Sequence, residues 1–140
     1  MPITAHTIKN YQVNIVANDH KFTADEPERK GGDDQGPNPY DLLLASLAAC
    51  KVITVHMYAK RKGWPVERVN ISMTHQKINA ADCDDCDSES GKVDEIRCDI
   101  SFEGDLDNEQ RQRLAEIADR CPVHRTLTSE TKIRTTLQYG

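Results

Sequence analysis

Hydrophobic positions form short alternating runs toward both ends of the chain and one long apolar block between them. Tyr11, Val13 and Ile15 alternate with Gln12 and Asn14, and a second run follows through 21–24. A period of two belongs to strands with one covered face, so this part predicts a hairpin of exposed strands. Residues 28–38 are polar and charged, with Gly31 and Gly32 side by side. Such a stretch buries little and tolerates positive φ, which predicts a loop able to work as a mobile lid.

The apolar block has clear punctuation. Asn38 suits a helix cap, Pro39 suits the first helical position, and Gly63 with Pro65 stops the helix after Lys60, Arg61 and Lys62. From Leu42 to Met57 almost no polar face remains, which predicts a helix buried on most sides. Asp41 and Lys51 shorten the uninterrupted apolar stretch, so the helix is expected in a protein core rather than in a bilayer.

Beyond it, Val69, Ile71 and Met73 alternate with polar residues, as do Ile96, Cys98, Ile100 and Phe102. They predict two half-buried strands, with Cys98 in the core, joined through the acidic segment 81–91. Asp107 and Gln110 have capping-box spacing, and Leu114, Ile117, Ala118 and Cys121 recur at one helical face. A last strand is expected at Ile133, Thr135, Leu137 and Tyr139. The resulting order β-β-α-β-β-α-β is that of an α+β fold, and 140 residues without repeat or linker imply one domain, 1–140.

Charge then narrows the partners. A net charge of −5 offers no basic footprint for nucleic acid and no polybasic patch for an anionic membrane. The start, Met1-Pro2-Ile3-Thr4-Ala5-His6, shows no charged segment followed by an apolar one, so a cytoplasmic location is expected. There, five cysteines argue for free, metal-bound or catalytic thiols rather than a disulfide framework.

Each cysteine admits two readings. Cys50, on the apolar helix, is either a small core hydrophobe or a thiol in a pocket, because Ala45, Ser46, Ala48 and Ala49 leave the helix surface low. Cys121 either closes an apolar stripe or, before Pro122 and close to Arg120, His124 and Arg125, gains enough help from N–H groups and cations to ionise. Cys83 and Cys86 form a C-x-x-C, a spacing found in redox pairs and zinc sites. Asp82, Asp84, Asp85 and Asp87 raise thiol pKa values there, which disfavours redox work and leaves a weaker metal-binding reading.

Taken together, Gly36 to Cys50, Arg61 to Trp64, and Ala118 to Leu127 resemble the OsmC/Ohr family, the osmotically inducible and organic hydroperoxide resistance proteins. The Pro39-Tyr40-Asp41 and Arg61-Lys62-Gly63-Trp64 sequences are similar to its OsmC-like branch. The resemblance implies antiparallel sheets around a long buried helix and an intertwined homodimer with strands contributed by both chains. It implies a peroxidase without metal or other cofactor. Cys50 would attack an organic hydroperoxide and become a sulfenic acid, Cys121 would resolve it as a disulfide, and a dithiol reductant would reset the pair. The alternative is a non-catalytic dimer that binds a small molecule or thiol.

An unperturbed thiol, with a pKa of about 8.5, is only a few per cent ionised at pH 7. Lowering it by about two units takes roughly 2.7 kcal/mol of differential stabilisation. The family's peroxidases use a glutamate that orients an arginine, and here Tyr40 stands at the glutamate's place. Arg29, Asp41 and Arg125 are therefore the candidates for activating the thiolate.

Overall fold

The computed structural model describes residues 2–139, which fall into two compact units divided between Ala45 and Ser46. In the first, strands β1 (Ile3–Thr7), β2 (Val13–Ala17) and β3 (His20–Ala24) form an antiparallel meander in that order. The expected hairpin is β2–β3, with Ile15 opposite Phe22. Strand β1 is an addition, because its five residues are all exposed and carry little periodic contrast. Asn10 and Asn18 take φ of 50° and 56° in the connections, a conformation asparagine tolerates better than most residues.

After β3 the chain turns around one buried carboxylate. Asp25 is 2% exposed and accepts hydrogen bonds from the backbone N–H of Glu26 at 2.7 Å, Gln35 at 3.0 Å and Asp33 at 3.2 Å. Burial raises its pKa, but the three donors outweigh that and hold it below the ordinary aspartate value. The segment expected as a lid is thus gathered onto Asp25. It packs so closely that a Cβ on Gly32 would lie 1.9 Å from the Glu26 carbonyl oxygen, and one on Gly36 1.9 Å from that of Thr23. No side chain fits at either place.

Helix α1 (Pro39–Lys62) starts with the expected cap: Asn38 Oδ1 accepts from the Asp41 N–H at 2.8 Å, and Asp41 returns the bond to the Asn38 N–H at 3.1 Å. The expectation of burial on most sides needs correcting. Only Leu47, Lys51, Val55 and Ala59 are buried, one stripe at spacing four, whereas Ile53 and Met57 are 54% and 65% exposed. By length and composition its 24 residues would suffice to cross a membrane, so Asp41 and Lys51 do not cut the block too short. Its place against Phe102 and Leu114 identifies a core helix instead.

The second unit contains a long antiparallel ribbon, β4 (Val66–Asn79) and β5 (Lys92–Gly104), with Ile71 opposite Ile100. Cys98, expected in the core, is exposed on β5. The core lies toward the Phe102 end of the ribbon, where Val55, Ala59, Phe102, Leu114 and Ala118 cluster. Helix α2 (Asn108–Ala118) has the expected capping box between Asp107 and Gln110. The Arg111 guanidinium fastens it to the ribbon by donating to the carbonyl oxygens of Phe102, Gly104 and Leu106. A short helix α3 (Pro122–Thr128) follows.

The fold is α+β, but the last expected strand is absent: residues 130–139 form no ladder among the described residues. Ile133, Leu137 and Tyr139 are 89%, 71% and 91% exposed. The alternation is that of a strand, and within this chain it meets no sheet edge to complete it.

Candidate functional site

Cys50 and Cys121 come together, although 71 positions separate them in sequence. Helix α1 carries Cys50 near its middle. The other approach is made by the end of α2, where Arg120 N–H bonds the Ile117 carbonyl and Cys121 N–H bonds that of Ala118, closing a tight turn. Cys121 then becomes the cap of α3, with Pro122 at the first helical position, as its neighbourhood suggests.

Both sulfurs meet the free N–H groups of this helix start. The Val123 N–H points to Cys50 Sγ at 3.5 Å and the His124 N–H to Cys121 Sγ at 3.3 Å. Both thiols are free, Cys121 fully buried and Cys50 half-buried, and they lie close enough for Cys50 to act on the Cys121 pKa. Burial pushes the Cys121 pKa up, and Cys50 pushes the same way; the His124 N–H and the Lys51 charge oppose them without prevailing. Cys121, the better placed thiolate from its sequence surroundings, is thus the thiol that keeps its proton. Burial outweighs the cations and the helix start.

The charge beside the pair is Lys51, which none of the sequence candidates included. It is 2% exposed, on the buried stripe of α1. Its ammonium donates to Ala118 O at 3.2 Å and Asp119 Oδ1 at 3.1 Å, and lies 2.9 Å from His124 Nδ1. An ammonium has no lone pair, so Nδ1 is the acceptor and the ring hydrogen belongs on Nε2. The only available signal was a lysine amid apolar helix positions, and it pointed equally to a surface residue.

The other candidates lie elsewhere. Asp41 is spent on the cap of α1. Arg29 sits exposed in a 3₁₀ turn, Glu28–Lys30, and Arg125 is exposed on α3. Neither guanidinium forms an ion pair or side-chain hydrogen bond among the described residues. Cys83 and Cys86 are joined as a disulfide, with Cα atoms 5.5 Å apart, in the loop between β4 and β5. At these two positions the structure thus departs from the expectation of free, metal-bound or catalytic thiols. Asp85 lies with them, and their donor atoms fall within 4.8 Å of one another, yet sulfurs bonded to each other are not thiolate ligands.

The family model for OsmC-like protein matches residues 31–136. A curated Haloferax volcanii protein described as uncharacterized is 29% identical over 107 residues, 75% of this chain and 74% of that one. Among solved structures, an OsmC-like protein from Mycoplasma pneumoniae is similar with a TM-score of 0.70 at 22% identity, over 90% of this chain and 85% of its own. The organic hydroperoxide resistance protein OhrB of Bacillus subtilis is similar with a TM-score of 0.61 at 20% identity, over 91% of each chain. At these identities the structural likenesses speak for the fold.

Proposed function

Because the chain belongs to the OsmC-like protein family, we propose that it is a thiol-dependent hydroperoxide reductase with Cys50 as attacking and Cys121 as resolving residue. The observation that carries this reading is the meeting of two free thiols under the N–H groups of α3. The name of the Bacillus subtilis relative, organic hydroperoxide resistance protein, supports organic hydroperoxides as substrates.

Cys50 as thiolate attacks one oxygen of the O–O bond. That bond breaks, the other oxygen leaves as an alkoxide that takes a proton to become the alcohol, and Cys50 becomes a sulfenic acid. Cys121 sulfur then attacks Cys50 sulfur and hydroxide leaves, with the Cys121 proton completing a water molecule. The disulfide now holds the two-electron oxidation, and a dithiol reductant returns both thiols while forming its own disulfide. The raised pKa of Cys121 suits this order, since its proton is still in place when Cys50 reacts.

The working form is a single-domain cytoplasmic homodimer. Exposed Ile53 and Met57 on α1, together with the unpaired alternating segment at Ile133, Leu137 and Tyr139, are surfaces a second copy would cover.

Mass spectrometry after treatment with cumene hydroperoxide tests the chemistry. Wild type is expected to lose two protons through a Cys50–Cys121 disulfide. Cys121→Ser should accumulate a sulfenic acid that dimedone traps, and Cys50→Ser should do neither. Equal peroxide consumption by Cys50→Ser and wild type rejects the proposal, and unchanged masses throughout would favour the non-catalytic ligand-binding dimer.

A further inference from the structure

The Lys51 ammonium has three hydrogens and three partners, so none is left for substrate or a sulfur. Its influence must therefore run through position and through its field. Lys51 is the residue after Cys50, and its partners bracket Cys121: Ala118 and Asp119 on one side, His124 on the other. One buried charge thus fastens the helix of the first thiol to both flanks of the second.

A buried ammonium is costly unless each hydrogen is bonded, and these bonds form only when the end of α2 and the start of α3 stand in this arrangement. We propose that Lys51 is a positioning residue for the Cys50–Cys121 pair, a clamp whose three bonds set how readily the two sulfurs join. The proposal rests on the redox reading above, but disulfide closure can be followed without any peroxide.

Disulfide geometry is narrow, with Cβ atoms usually about 3.8 Å apart, so slack at the α2–α3 turn lowers the chance of closure directly. The titratable or charged groups around the clamp are Asp119 and His124 on that turn, Cys50 and Cys121 themselves, and Cys98 on β5. Lys51 lowers the Cys121 pKa, so its loss should also make Cys121 ionise only at higher pH.

The test uses full-length protein carrying Cys98→Ser. Equilibrated with oxidised and reduced dithiothreitol, the Cys50 and Cys121 thiols give two electrons and two protons to the dithiothreitol disulfide and become a disulfide themselves. Lys51→Met, a neutral side chain of similar length, is expected to lower that equilibrium constant by at least about tenfold, as small misplacements do in reactions that depend on position. In a Cys50→Ser background, Lys51→Met should also move the pH midpoint of Cys121 alkylation upward. Lys51→Arg should restore the midpoint without fully restoring closure, because a planar fork cannot reproduce the three ammonium bonds.

Should Lys51→Met fail to fold, Asp119→Asn serves instead: it alters one contact to a carboxylate that is 72% exposed and should give a smaller fall in the same constant. Wild-type values for the closure constant and alkylation midpoint in a folded Lys51→Met protein overturn the clamp; so does an unchanged closure constant in Asp119→Asn where Lys51→Met does not fold. If wild type closes its disulfide with dithiothreitol but ignores hydroperoxide, the functional proposal falls and the clamp stands.

Discussion

Two buried charges organise this protein in opposite ways. Asp25 takes its three hydrogen bonds from residues one, eight and ten positions away, all along one stretch of chain. Lys51 reaches partners 67, 68 and 73 positions away. The carboxylate therefore gathers its own loop, which needs little more than short-range chain closure, whereas the ammonium joins segments that meet only once the fold is complete. A charge satisfied locally shapes a loop. One satisfied at long range can transmit the position of one helix to another, and here it does so between the two helices' cysteines.

The contrast breaks most easily at the core that brings Lys51 to its partners. Leu114 is fully buried on α2, between α1 and the ribbon. Leu114→Ala should cost about 2–5 kcal/mol in chemical denaturation, the range for a large cavity in a tight core. It should weaken disulfide closure with it and leave the Asp25 loop intact, as read by hydrogen exchange at the Asp33 and Gln35 amides. Simultaneous loss of protection in that loop would mean that the two charges do not act separately.

Asp25→Asn attacks the other side. The amide offers one acceptor oxygen where the carboxylate offers two, so the three N–H donors can no longer all be served. Exchange at Asp33 and Gln35 should quicken while thiol closure stays as it was. The pH dependence follows from the sign of the shift. Asp25 has a lowered folded-state pKa, so its contribution is present above the unfolded value of about 3.9 and is lost as pH falls through the folded value. Wild type should lose loop protection over that acid range, and Asp25→Asn should not follow it.

The same distinction decides what could be read from sequence. Both ends of α1, the capping box of α2, the alternation within each ribbon strand and the cap position of Cys121 depend on neighbours within a few residues, and each is legible. Cys98 was misplaced because alternation shows which residues share a face and not whether anything covers that face. The terminal strand failed for a related reason, since a strand needs an edge and sequence does not say where one is. At the site, Cys50 and Cys121 stand out in the sequence and the structure brings them together, whereas Arg29 and Arg125, the cations the sequence offers for the thiolate, lie exposed. Lys51 escaped because its partners reside on the α2–α3 turn, and no local pattern announces a contact over some seventy residues.

The smallest expected effect sharpens the comparison at the alkaline end. Cys121 keeps a raised pKa because burial and Cys50 together outweigh the His124 N–H and Lys51. A group with a raised folded-state pKa contributes stability that is intact below its unfolded value, about 8.5 for a thiol, and is lost as pH rises through the folded one. Urea midpoints of wild type should therefore begin to fall above about pH 8.5, the opposite limb from Asp25. Cys121→Ser removes the titrating group and should flatten this limb while leaving the acid one unchanged. Lys51→Met should steepen it, because the charge that partly relieves the burial of a thiolate is gone. If the alkaline limb is identical in wild type and Cys121→Ser, the thiol proton is not under the control of this site, and the field of Lys51 plays no part in its chemistry.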